Sequence, residues 1–250
     1  MIDFKLANNL IVSSCITGVY DVNRNSILKE DDFSIVSDWA KSIADLGLQG
    51  IIFHNSFSEA TCKANESEFI RFIKVTYNAQ YNPNVFRYFI YSEFLKEQSH
   101  CIKNIFFTDV SDVIVLKNPF LEQLYLQNQT AIFCGDEPEN LDNDWMQKHS
   151  QHLRNQIADY ANYETHFKNE TLLNCGIIGG NAKMMLAFID QLWVLHQKFN
   201  SDNQTAYTGD MGVFNYLVRT KYNDQVIHGN PVNTEFKKYS ADTSCWFKHK

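Results

Sequence analysis

Residues 105–120 read IFFTDVSDVIVLKNPF, and their reading decides the fold. Two short apolar runs, 105–107 and 113–116, each have the length and β-branched or aromatic content of a buried strand. Asp109 and Asp112 stand between them, three residues apart. A carboxylate withdrawn from water needs a counter-charge, since an unpaired one is costly to bury. The pair therefore predicts either a wet strand end, with one Asp capping the following turn, or a site that holds a cation. The Lys-Asn-Pro at 117–119 closes the second run, because proline cannot donate to a strand ladder.

Working outward, apolar runs at 10–12, 50–54, 131–134 and 226–228 predict further strands. Helical spacing at 32–46, 86–98, 184–199 and 210–218 predicts helices, with Gly47 ending the first. Segment 67–76 fits a strand or a short helix, and 120–126 a short helix. Residues 135–160 read as a polar stretch, and the last twenty as a polar tail in which Trp246 and Phe247 could dock on the domain or on a partner. Strands alternating with helices imply an α/β fold with a mostly parallel central sheet, which binds ligands at the carboxyl ends of its strands. The two acids lie at such an end.

The chain has 250 residues, 44% of them apolar and 20% charged, with only ten glycines and four prolines. No linker interrupts it, so residues 1–250 are expected to form a single domain. A net charge of −7 argues against nucleic acid as a partner, because gripping phosphates requires a basic surface. An anionic ligand would need a metal or a few local cations. The six cysteines form no C-x-x-C pair, which excludes common zinc and redox spacings. The start of the sequence predicts no signal peptide, and no run of about 18 apolar residues predicts a membrane span. Together these features point to a cytoplasmic protein.

Two other segments bear on the acids. Asn174-Cys175-Gly176-Ile177-Ile178-Gly179-Gly180 sets three glycines around two apolar residues, which suits close backbone approach to a ligand or a plain strand-to-helix turn. Val226-Ile227-His228-Gly229-Asn230-Pro231 ends a strand in an imidazole, a ligand for Mn²⁺-type ions that is more often structural or exposed.

In this order, FFTDVSDVIV, NCGIIGG and VIHGNP resemble the metal-dependent GT-A glycosyltransferases. The motifs are most similar to the group containing the glycosyltransferase domain of procollagen lysyl hydroxylases and the sugar transferases of large DNA viruses. The resemblance implies a GT-A, Rossmann-like nucleotide-diphospho-sugar transferase fold with helices flanking the sheet. It implies transfer of a hexose from a UDP-linked donor to a glycan, protein or small-molecule acceptor, with retention of configuration. It implies Mn²⁺ or Mg²⁺ held by Asp109, Asp112 and His228. Donor contacts are carried to Val12, Ser13, Thr17 and Tyr20 in the first strand and loop, to Val110 and Ser111 between the acids, and to Asn174, Gly176 and Gly229. The family often has an aromatic residue where Ser111 stands. Arg87 is expected either to reach the donor or to be a surface cation, and Lys237 and Lys238 to meet phosphate.

Asp210 is expected near the transferred sugar or as a helix N-cap, and Asp136 or Glu137 as a base if the reaction inverts. A non-catalytic sugar-nucleotide or carbohydrate-binding module of the same fold is the alternative. Phosphoryl transfer through an aspartyl nucleophile wants D-x-D, which D-V-S-D does not supply.

Overall fold

A computed structural model describes residues 5–21, 26–200, 209–241 and 243–250. The strands are β1 (Asn9–Cys15), β2 (Tyr20–Asp21), β3 (Ser26–Ile27), β4 (Gln49–His54), β5 (Ile70–Lys74) and β6 (Asn104–Thr108). They continue as β7 (Val113–Val115), β8 (Ile132–Asn140), β9 (Thr171–Asn181), β10 (Val226–His228) and β11 (Phe247–His249). The helices are α1 (Ser37–Asp45), α2 (Glu59–Asn65), α3 (Pro83–Gln98), α4 (Gln123–Gln127) and α5 (Asp144–His149). After them come α6 (Gln151–Gln156), α7 (Tyr160–Phe167), α8 (Ala182–Phe199) and α9 (Asp210–Leu217).

Seven strands form the central sheet in the order β10-β8-β9-β6-β1-β4-β5. Every pairing is parallel except those of β9, which runs antiparallel to both β6 and β8. Side chains alternate across it with the period of two that a strand imposes. Leu10, Val12, Ile105 and Phe107 join one apolar layer, with the buried residues of α3, α8 and α9. Ile11 and Phe106 join the other, with Trp39 of α1, Val113, Trp246 and Phe247. Both faces of the sheet are thus covered, as a mostly parallel sheet requires.

Three differences from the expected elements matter. The segment around 174–180 is the long strand β9, not a turn. Gly179 serves packing: a Cβ there would lie 2.1 Å from Cδ1 of Phe106, so glycine admits that ring. The polar stretch after β8 folds into three short helices, α5 to α7. The tail contains β11, which pairs antiparallel with β7, and Trp246 and Phe247 are fully buried in this domain.

Two buried histidines make the fold acid-sensitive. His54 accepts a hydrogen bond at Nδ1 from the Phe57 amide (3.1 Å), and burial, assisted by Lys74, lowers its pKa to about 4. His196 is fully buried, stacks on Tyr88 at 4.9 Å, and takes the Asn200 amide on Nδ1. Burial lowers its pKa to about 3. Both bases stay neutral in the folded state while an unfolded imidazole charges near pH 6.5. Stability is therefore held above pH 6.5 and lost as pH falls towards 4, because the unfolded chain binds more protons in that window. Urea unfolding should show a loss on the order of a few kcal/mol between pH 7 and 4, since one pKa unit corresponds to about 1.4 kcal/mol. His196→Gln should flatten the slope. A pH-independent midpoint would contradict the account.

Candidate functional site

The carboxyl ends of β1 and β6 lie side by side. Thr108, the last residue of β6, is held twice: its hydroxyl accepts from the Trp39 indole (2.7 Å) and its carbonyl from Ser13 Oγ (2.6 Å). The next residue, Asp109, donates its amide to the Gly176 carbonyl across β9 (2.8 Å). The chain turns through Ser111 and Asp112 into β7, where Val113 is in register with His249. One ligand atom each from Asp109, Asp112 and His249 then falls within 4.8 Å of the others.

This corrects the expected ligand set: His249, and not His228, stands with the acids. β10 is the edge strand, with β8 and β9 between it and β6. Three strand spacings, roughly 14 Å in all, separate it from the acid-bearing strand. His228 instead places Nδ1 2.9 Å from Asp136 Oδ2. The β10–β11 connection still serves the site, because Thr234 Oγ1 accepts the backbone N–H of His249 at 3.1 Å.

The three residues fit a divalent cation. His249 is 1% exposed, and its buried Nδ1 has no hydrogen-bond partner. Burial lowers its pKa to about 4 against the opposing pull of Asp109, so the ring is a neutral ligand at physiological pH. Gly176 makes the approach possible: a Cβ there would lie 2.7 Å from Asp109 Oδ2 and 2.8 Å from His249 Cε1. Two carboxylates and one imidazole are a donor set suited to Mn²⁺, or to Mg²⁺ with less preference for the nitrogen.

A cavity of about 810 Å³ opens over these residues. Arg87, on α3, is buried beneath it and is not a surface cation. Its guanidinium bonds Asp109 and lies 3.6 Å from Asp210. Asp210 is not the helix cap, which is Gly209 at φ +64° with no side-chain bond; its carboxylate lies 3.0 Å from His149 Nε2. Asn174 donates to Glu137 Oε1 (2.8 Å) and accepts the Gly176 amide (2.7 Å). Burial raises the Glu137 pKa, while the Asn174 bond opposes that shift.

Val110, Ser111, Asn174, Gly176, Asp210 and Lys237 all line this cavity with the metal-site residues. The first-strand expectations are displaced. β1 runs to Cys15, three residues beyond the predicted end, so Val12 and Ser13 are buried beneath the cavity. Thr17 is fastened to Asn55 and Ser56, and Tyr20 is half exposed on β2. Ser14, Cys15, Ile16 and Val19 line the cavity in their place. Asp136, Gly229 and Lys238 line a separate cavity of about 580 Å³, in which a Cβ on Gly229 would lie 2.6 Å from Asp136 Oδ2. Glu137 alone of the two base candidates reaches the main cavity.

No family model and no curated protein sequence matches the chain. Among solved structures, the galactosyltransferase LgtC, crystallised with donor and acceptor sugar analogs, is similar over 96% of this chain and 86% of its own. The TM-score is 0.52 at 16% identity. That likeness establishes the fold, a mixed α/β GT-A architecture. The narrower similarity to the lysyl hydroxylase and viral group rests on the motifs alone.

Proposed function

We propose that this chain is a metal-dependent glycosyltransferase that moves a hexose from a UDP-linked donor to a glycan, protein or small-molecule acceptor. The observation that carries the reading is a buried imidazole, that of His249 with its unpartnered Nδ1, beside two carboxylates at the carboxyl edge of the parallel strands. Asp109, Asp112 and His249 would hold Mn²⁺ or Mg²⁺, which when bound stabilises the charge that develops on a departing diphosphate.

The remaining roles belong to the chain's own side chains. Ser14 to Ile16 face the nucleoside, Val110 and Ser111 its ribose, and Lys237 supplies a cation for phosphate. Asn174 and Asp210 hold sugar hydroxyls from positions fixed by Glu137 and Arg87. Fixed donors and acceptors of this kind stabilise transition-state charge without reorganising. Retention of configuration is carried from the sequence resemblance. A cytoplasmic location accords with six cysteines that form no disulfide. Among the described residues no helix is long and apolar enough to cross a membrane.

Calorimetry with UDP, with and without Mn²⁺, tests the reading. Tight binding should require the metal. His249→Ala should weaken it about a hundredfold, while His228→Ala should change it less than about threefold, since a lost metal ligand is worth several kcal/mol. Metal-independent binding, or equal effects of the two substitutions, would overturn the assignment. Measurable hydrolysis of UDP-sugar would exclude the non-catalytic binding module.

A further inference from the structure

The wall of the main cavity carries an aromatic residue that the proposed donor chemistry does not use. Trp145, on α5, lines the cavity and is 39% exposed, whereas Trp39 and Trp246 are fully buried and Trp193 is 7% exposed. Its ring stacks on the buried His149 imidazole, with centroids 4.4 Å apart and planes 22° from parallel. An indole so backed is rigid and presents a flat apolar surface at little entropic cost. Glu137, Glu139 and Asp144 line the same cavity, and Lys237 is its exposed cation among the described residues.

A pyranose matches that pairing of groups. Its axial C–H face is apolar and stacks on indole, and its hydroxyls donate to carboxylates in charge-assisted bonds. The excess of carboxylates disfavours an anionic sugar, because like charges brought together in a cleft cost several kcal/mol. A chain of contacts links the platform to the metal site: Asp109 to Arg87, Arg87 to Asp210, Asp210 to His149, and His149 to Trp145. Counted along these contacts, the platform comes after Asp210, the residue assigned to the transferred sugar.

We infer that Trp145 is the stacking platform for a neutral pyranose of the acceptor, so that the acceptor is an uncharged glycoside. This rests on the glycosyltransferase reading.

The probe is acrylamide quenching of tryptophan fluorescence, which reports mainly on Trp145 because the other three indoles are buried. With Mn²⁺ and UDP present, the methyl glycosides of galactose, glucose, mannose and N-acetylglucosamine are titrated beside methyl glucuronide. At least one neutral glycoside should lower the quenching constant about twofold, and the glucuronide should not. Trp145→Ala should weaken that glycoside at least tenfold by calorimetry, Trp145→Phe should restore part of the loss, and both should bind UDP and Mn²⁺ within twofold of wild type. Absence of protection by any neutral glycoside would overturn the inference. So would protection by the glucuronide, or loss of UDP affinity in Trp145→Ala equal to the loss for the glycoside. Failure of the wider reading is distinct, because wild-type protein would then show no metal-dependent UDP binding.

Discussion

Asp109→Asn is expected to remove Mn²⁺-dependent UDP binding while leaving a folded protein. Asparagine keeps the shape and one oxygen donor, so the change isolates charge. The gross attraction of a carboxylate for a divalent ion 4 Å away is about 8 kcal/mol at an effective dielectric of 20. Water and the amide oxygen replace part of it. A net loss of about 3 kcal/mol would still lower metal affinity more than a hundredfold. The substitution also removes one partner of Arg87, which keeps Asp210 at 3.6 Å and its contacts with the Tyr88 hydroxyl and Cys175 sulfur, both at 3.2 Å. Titrating UDP into Asp109→Asn with and without Mn²⁺, after circular dichroism has shown native helix content, reads the effect. Undiminished metal-dependent binding would remove Asp109 from the site and with it the proposed role of the ion.

The acids are legible in the sequence because their surroundings are. Apolar runs on either side force a strand–turn–strand, and a polar pair at that junction has few structural uses. His249 is not legible in the same way. It belongs to a three-residue strand, too short to show a period, and its neighbour Val113 lies far back in the chain. His228 carries the better local signal, an imidazole closing an apolar run before Gly-Asn-Pro, yet strand order puts two strands between it and β6. Sheet order follows from long-range pairing, which local pattern does not encode.

Similarly, Val12 ends the predicted strand and Ser13 opens the loop after it, but β1 extends to Cys15, so the lining falls on Ser14 to Ile16. Element ends depend on what the neighbouring strand still offers to pair with; here β4 continues to His54, opposite Cys15. Trp145 carries no signal in the sequence, because its platform exists only once α5 brings the ring onto His149 and both into the cavity wall. The fold, by contrast, follows from patterns that are local. Alternating strands and helices, and residues 10–12 and 105–107 divided between two faces, suffice to place the acids at the carboxyl edge.

Arg87→Met should be the most destabilising substitution near the site. The guanidinium is 7% exposed and lies between two carboxylates, of which Asp210 is itself 6% exposed. Methionine fills similar volume, so the loss is electrostatic more than steric. Removing one partner of a buried ionic network leaves an uncompensated charge and costs about 3–5 kcal/mol. For a chain of this size that lowers the melting temperature by roughly 6–20 °C, at about 2–4 °C per kcal/mol. Arg87→Lys should recover little, because an ammonium cannot span Asp109 and Asp210 while also meeting Tyr88 and Cys175 as a planar fork does. The stronger test is the double substitution. Adding Asp210→Asn to Arg87→Met removes the carboxylate that lost its guanidinium partner, so about 1–3 kcal/mol should return as a coupling energy. Urea unfolding of the two single variants, the double variant and wild type closes the cycle. Additive losses would mean that Arg87 and Asp210 do not act as a pair.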